Sequence, residues 1–149
     1  MSVDTTARTK DVVLATFEAM GRSDIAGMVE HLADDVVWEI MGGDGFIPGG
    51  RRYEGKGVVA NDLLSIIPQL YVLDTIRLNR EFVYTDGEAV IIEFTCCATA
   101  TSGQVNDGAA YVWVHKVRDG KIYHAREYVD TLKLKGIFFA EGAADVGHS

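Results

Sequence analysis

The residues best suited to chemistry lie close together toward the C-terminal end, on either side of an Asp-Gly dipeptide. Asp119-Gly120 is a strong two-residue hairpin signal between two runs of β-forming residues. With those two as the central turn residues, Arg118 faces Lys121, Val117 faces Ile122, His115 faces His124, Trp113 faces Arg126, Tyr111 faces Tyr128 and Ala109 faces Asp130. Side chains alternate along a strand, so these pairs share one sheet face. That face would hold two histidines, an arginine, a carboxylate, two tyrosines and a tryptophan, a mix that suits a pocket with an apolar wall and a few polar anchors. The alternatives are that His124, near the turn, is solvated and that Tyr111 and Trp113 only pack. Two histidines without a third ligand at a suitable spacing do not make a metal site, so no metal is expected. The opposite face would carry Ala110, Val112, Val114, Lys116, Tyr123, Ala125, Glu127 and Val129. A sheet surface so small and β-branched often packs on another copy of itself, and a homodimer through this face is expected.

A second Asp-Gly pair, Asp86-Gly87, predicts another hairpin. In the strand that follows, Glu93, Thr95, Cys97 and Thr99 share one face, while Val90, Ile92, Phe94, Cys96 and Ala98 share the other. Glu93 between Ile92 and Phe94 faces either water or a polar pocket, with Arg126 or a histidine as partner. The glycine-rich stretch from Met41 to Gly50 reads as a pocket rim or lid. Gly55-Lys56-Gly57 lacks the hydroxyl residue that a phosphate-binding loop requires.

The elements that must position these residues begin with helices. Val12, Val13, Phe17 and Met20 recur at helical spacing, which predicts a helix over about Thr5 to Met20 ended by Gly21. A second helix is predicted over about Asp24 to Leu32, capped by Ser23 or Asp24. A short strand follows at Val36 to Ile40, then a third helix over about Val58 to Ile67, stopped by Pro68. From Tyr71 the chain reads as a meander: Tyr71 to Tyr84, Ala89 to Thr101, Ala109 to Arg118 and Lys121 to Thr131, with a polar loop from Ser102 to Gly108. Leu132 to Ala140 reads as a short helix or strand extension, and the tail from Glu141 as loose. Three helices before an antiparallel meander make an α+β fold, one domain of 149 residues, with a cone-shaped curved sheet enclosing a pocket.

Composition narrows the partners. The net charge of −8 and the absence of a dense Lys/Arg cluster argue against nucleic acid or an anionic membrane. The two cysteines, Cys96 and Cys97, are adjacent and point to opposite strand faces, so they do not pair with each other, and a reducing cytoplasm is the expected location. Met1 to Lys10 lacks the apolar core of a signal peptide, and no apolar run approaches membrane-spanning length.

Two stretches carry a family resemblance. The run from Ser23 to Glu39 (SDIAGMVEHLADDVVWE) resembles the N-terminal signature of SnoaL-like polyketide cyclases. The strings from Val117 to Ile122 (VRDGKI) and from Arg126 to Thr131 (REYVDT) resemble their last hairpin. The likeness extends over about Lys10 to Phe139 and implies an NTF2-like, cystatin-like cone, the superfamily that also holds ketosteroid isomerases and limonene-type epoxide hydrolases. The hydrolase constellation is matched at Asp130 but departs at Trp38, Ile40, Glu93 and Thr95. The isomerase pattern departs at Ile40, in place of the base, and at Thr16, in place of the helix tyrosine.

The resemblance to the cyclases implies a general acid/base Asp with a nearby His, for which Asp130 and His115 are the counterparts. The expected function is cofactor-free acid/base chemistry on a small, polyketide-like or otherwise apolar carbonyl substrate, such as aldol-type cyclisation, isomerisation or dehydration. Such chemistry needs a base for the α-proton and a donor for the developing oxyanion. Asp130, His115 and Arg126 are the candidate catalytic residues. Trp38, Phe46, Tyr53, Glu93, Tyr111, Trp113 and Tyr128 are the candidate substrate contacts. The alternatives are a binding protein for an apolar metabolite in which Asp130 and Arg126 form a structural pair, hydrolase-like activity with a non-standard site, and a dimerisation module without ligand.

Overall fold

A computed structural model describes residues 3–42 and 51–138. The apolar stripe of the first segment forms α1 (Val3–Gly21), with Val13 and Phe17 buried and Val12, Leu14 and Met20 packed beside them. Thr16 is fully buried on this helix and returns its hydroxyl to the Val12 carbonyl at 2.9 Å, so it needs no partner elsewhere. Asp24 caps α2 (Ile25–Val29) by accepting the Gly27 N–H at 2.9 Å.

The expected short strand is longer, β1 (Leu32–Met41), and β2 (Arg52–Glu54) pairs with it antiparallel at Trp38 and Tyr53. Residues 56–70 are helical but irregular: α3 (Lys56–Val58), a π turn (Val59–Leu63), a 3₁₀ turn (Leu64–Ile66) and α4 (Ile67–Leu70). Pro68 does not stop this stretch. It sits in the first turn of α4, where a missing N–H leaves no bond unmade. A 3₁₀ turn (Leu73–Thr75) delays β3 (Arg77–Asp86), which starts at Arg77 rather than Tyr71. Then come β4 (Ala89–Thr99), β5 (Val105–Arg118), β6 (Lys121–Val129) and the helix α5 (Thr131–Phe138).

The six strands form one curved, open sheet in the order β2-β1-β6-β5-β4-β3. Its neighbours are antiparallel except β1 and β6, which run parallel, so the α+β sheet is mixed rather than wholly antiparallel. The rim loop with Phe46 and the tail lie outside the described residues.

Two bulges decide which side chains enter the concave face. Asp119 and Gly120 have positive φ, 53° and 74°, as a type I′ turn requires, and Val117 pairs with Ile122 as the sequence predicts. Tyr123 is then an extra residue. Lys116 pairs with His124, His115 with Ala125, Trp113 with Glu127 and Tyr111 with Val129. A slip of one residue exchanges the two faces of β6 from there on. Glu127 joins Tyr111, Trp113 and His115 on the concave side, and His124, Arg126 and Tyr128 turn to the convex side. In β5, Ala109 pairs with Cys96 but Asp107 pairs with Cys97, leaving Gly108 as the extra residue at φ 128°, a conformation that favours glycine. Asn106 is thereby buried on the same side as Ala109 and Tyr111.

Aromatic rings fill the middle of the concave face. Phe17 meets Phe94 edge-on at 4.9 Å, Phe94 stacks on Tyr111 at 5.0 Å, and Trp113 stands edge-on to Trp38 at 6.0 Å. Contacts of this kind contribute about 0.5–1.5 kcal/mol each beyond the area they bury, and they hold the strands that carry the site in fixed relation.

Candidate functional site

The helices stand against the concave face without filling it. The cavity between them has a volume of about 80 Å³. One water needs on the order of 10–15 Å³ on that measure, so the space suits a small organic group rather than a single solvent molecule. Its walls are mostly apolar, with Met20, Met28, Leu63, Ile67, Leu134 and Phe138 among them. The polar groups that reach it come from Trp38, Tyr71, Tyr111 and Glu127.

Glu127 is the sole carboxylate among the described lining residues. It is half-buried, with protein packed closely around its carboxyl, and it lines the cavity. Burial pushes its carboxyl up to about 7, because a charged carboxylate loses water it cannot replace there. The indole N–H of Trp38 donates to Glu127 Oε1 at 3.3 Å and opposes that rise. Among the described residues the Trp113 N–H closes no standard hydrogen bond, yet it is near enough to act in the same direction. A carboxyl balanced near neutrality can give or take a proton at physiological pH.

A second polar group stands on the same wall. Asn106 Nδ2 donates to the Tyr71 hydroxyl at 2.9 Å, and the Tyr111 hydroxyl lies near enough to that of Tyr71 to act on it without closing a standard hydrogen bond. Burial raises both phenols well above their ordinary value, so both remain protonated donors. Cys96, buried nearby, is pushed up to about 12 by burial and by Cys97, which keeps it a neutral thiol rather than a nucleophile.

Of the candidates from sequence, Trp38 and Tyr111 line the cavity. Trp113 is fully buried behind them. His115 is also fully buried, with ring centroids 5.2 Å from Trp38 and 4.5 Å from Trp113, and neither ring nitrogen has a partner among the described residues. Burial, then the charge on His124, pushes it down to about 3, so it is a neutral packing ring that does not line the cavity. Asp130 lies outside the cavity. It is exposed and caps α5, accepting the Lys133 N–H at 3.1 Å. Arg126 and Asp130 form no pair: Arg126 lies on the convex face, 3.1 Å from Glu39 Oε1, an acid that also takes His124 Nε2 at 2.9 Å and Arg52 at 3.2 Å. For Glu39, burial acts upward, but the bonds from His124 and Arg126 outweigh it and leave the acid below its usual value. Tyr128 is exposed on that face, and Glu93 interacts there with the Tyr84 hydroxyl. Tyr53 is buried beside Trp38 on β2 but does not line the cavity. Phe46 lies outside the described residues.

The sequence reading missed Glu127, Tyr71 and Asn106 as site residues. The string Asn106-Asp107-Gly108 held a signal, since a glycine beside a strand marks a bulge. The bulge at Tyr123 has no such marker. Among the described residues no group of three His, Cys, Asp or Glu side chains is placed to hold a metal, and no helix is long and apolar enough to cross a membrane.

A curved mixed sheet with helices closing an apolar pocket on its concave side defines an NTF2-like fold. Within it, residues 13–125 match the model of the SnoaL-like domain, and the chain belongs to that family. Solved structures agree on the fold. An NTF2-like protein of unknown function from Burkholderia pseudomallei is 22% identical, with 93% of this chain and 98% of that one covered and a TM-score of 0.78. TerC, co-crystallised with polyporic acid, is 21% identical, with coverage of 89% and 98% and a TM-score of 0.76. A protein of unknown function with a cystatin-like fold from Xanthomonas campestris is 20% identical, with coverage of 87% and 97% and a TM-score of 0.73. No curated protein matches the chain.

Proposed function

We propose that this protein binds a small, largely apolar carbonyl compound in its cavity and moves a proton on it with Glu127. The observation that carries this reading is Glu127, the one carboxylate among the described cavity-lining residues, which burial lifts to about 7 against the opposing pull of the indole N–H groups. Ionised, Glu127 takes a proton from the carbon beside the carbonyl. Protonated, it returns that proton to another atom of the same ligand. In isomerisation the proton returns to another carbon. In dehydration it goes to the departing hydroxyl, which leaves as water. In aldol-type cyclisation the enolate carbon bonds to a second carbonyl carbon, whose oxygen takes the proton. The choice among them belongs to the ligand. The acid/base role expected of Asp130 thus passes to Glu127, which the strand bulge turns inward. The apolar walls supply binding, and they keep water from competing for the enolate. Co-crystallisation of TerC with polyporic acid is in keeping with an organic ligand in a cavity of this fold.

The experiment is a native mass-spectrometry and thermal-shift screen of aromatic and polycyclic ketones against wild type and Glu127→Gln, followed by product analysis. Binding by both forms with conversion by wild type alone is the expected result. Equal binding with no conversion by either would leave a binding protein for apolar metabolites, a reading that the predominance of Met, Leu and Ile in the walls favours. Conversion by Glu127→Gln at the wild-type rate would remove Glu127 from the chemistry.

A further inference from the structure

The side chain of Asn106 is completely buried, and its orientation is decided by the backbone around it. Its Oδ1 accepts the N–H of Ala109 at 2.9 Å and, more weakly, that of Gly108 at 3.3 Å. Backbone N–H groups only donate, so the atom they meet must be the amide oxygen, and the atom facing Tyr71 must be Nδ2. Tyr71 therefore accepts at 2.9 Å and cannot spend its own proton on Asn106. The other polar protein group beside it that matters here is the Tyr111 hydroxyl, near enough to act on it but closing no standard hydrogen bond. Were the two hydroxyls to close a bond with each other, only one proton could lie in it. If Tyr111 donates to Tyr71, the Tyr71 proton is left over; if Tyr71 donates, the Tyr111 proton is left over. Both residues line the cavity, and no described protein acceptor takes the surplus proton.

We propose that the Tyr71–Tyr111 pair, locked by Asn106, donates this surplus phenolic proton to a carbonyl or enolate oxygen of the cavity ligand. The ligand then lies with its oxygen at the tyrosines and its acidic C–H toward Glu127, an assignment of pose and substrate class that rests on the proton-transfer reading above. The donor is built rigidly. The backbone at Tyr71 is clasped to the end of β4 through a bridge to Ala100, with the Val72 N–H on Thr99 O and the Thr101 N–H on Leu70 O, each at 2.9 Å. The bulge at Gly108 holds Asn106 below it. Donors fixed before the reaction stabilise a developing oxyanion without reorganising. Proton counting also makes a distinctive demand: either hydroxyl alone can supply the donor, so both must go before it is lost.

The test uses acetophenone and α-methylstyrene, which share shape and differ in C=O against C=CH₂. Binding of both to wild type, Tyr71→Phe, Tyr111→Phe, the double variant and Glu127→Gln is measured by ligand-observed NMR titration. Wild type should favour the ketone by roughly five- to tenfold, the worth of one net hydrogen bond. Each single Phe variant and Glu127→Gln should retain a ketone preference, and the double variant should lose it while still binding the alkene. Should the double variant not fold, the infrared C=O stretch of ¹³C-labelled acetophenone bound to wild type decides: lowered relative to hexane supports the proposal, and unshifted overturns it. Equal affinity for the two probes in wild type, an undiminished preference in the double variant, or binding of neither probe would also overturn it. A ketone preference without turnover of any ketone sinks the proton-transfer reading and leaves the donor standing.

Discussion

Replacing Glu127 with Gln should change how stability depends on pH, and the structure gives the sign and size. In the unfolded chain the carboxyl titrates at its ordinary value of 4.5; in the folded protein burial lifts it to about 7. Between those values the native state holds a proton that the unfolded state has released. Its contribution is therefore fully present below pH 4.5, falls as pH rises, and is gone above about 7. Lifting the carboxyl from 4.5 to about 7, at roughly 1.36 kcal/mol for each tenfold gain in proton affinity, makes the difference about 3 kcal/mol. Glutamine does not titrate, so the variant lacks this term, while every other titrating group is common to both proteins and cancels in the difference. Urea unfolding of both proteins at intervals from about pH 4 to pH 8 measures it. The stability of wild type minus that of Glu127→Gln should fall by about 3 kcal/mol over that range, a relative midpoint shift near 1.5 M if the urea slope is about 2 kcal/mol/M. A difference that stays flat, or that inflects near pH 4.5, would show that Glu127 is solvated and would remove the basis for its acid/base role.

His115 has the opposite sign: its folded value of about 3 lies below the unfolded 6.5, so its burial destabilises the protein as pH falls. His115→Phe should gain about 2 kcal/mol of stability at pH 5 relative to pH 8, read from the same unfolding series, provided the larger ring packs equally well at both. Asp130→Ala should cost about 1 kcal/mol through loss of the α5 cap and leave affinity for a cavity ligand unchanged by isothermal titration. On the convex face, Ile91, Val112 and Val114 lie beside exposed Phe82 and Tyr84, the surface proposed to join two copies. Sedimentation velocity should find a dimer that Val114→Asp converts to monomer; a wild-type monomer at tens of micromolar would refute that interface.

The fold was largely legible because its signals are local. Helical spacing in α1, a capping Asp24, two Asp-Gly turns and alternation along β4 each act within a few residues, and together they specify helices packed on a meander. The hairpin at Asp86 shows the limit of that precision: its two central residues are Gly87 and Glu88, with Asp86 paired to Ala89, one place along from the expected turn. Trp38 and Tyr111, two of the substrate contacts expected from the sequence, lie among the residues that line the cavity.

Tertiary structure alone decided which acid faces the pocket. Alternation carries face assignments along a strand only while pairing stays in step, and one extra residue inverts everything beyond it. The step at Tyr123 turned Glu127 inward and sent Arg126, His124 and Tyr128 outward, where they meet Glu39 and solvent. Another at Gly108 turned Asn106 inward, and the parallel docking of β1 on β6 set Trp38 against Glu127. These are relations between strands far apart in sequence, which local pattern does not carry. The sequence by itself determined the architecture; the bulge at Tyr123 decided which carboxylate faces the cavity.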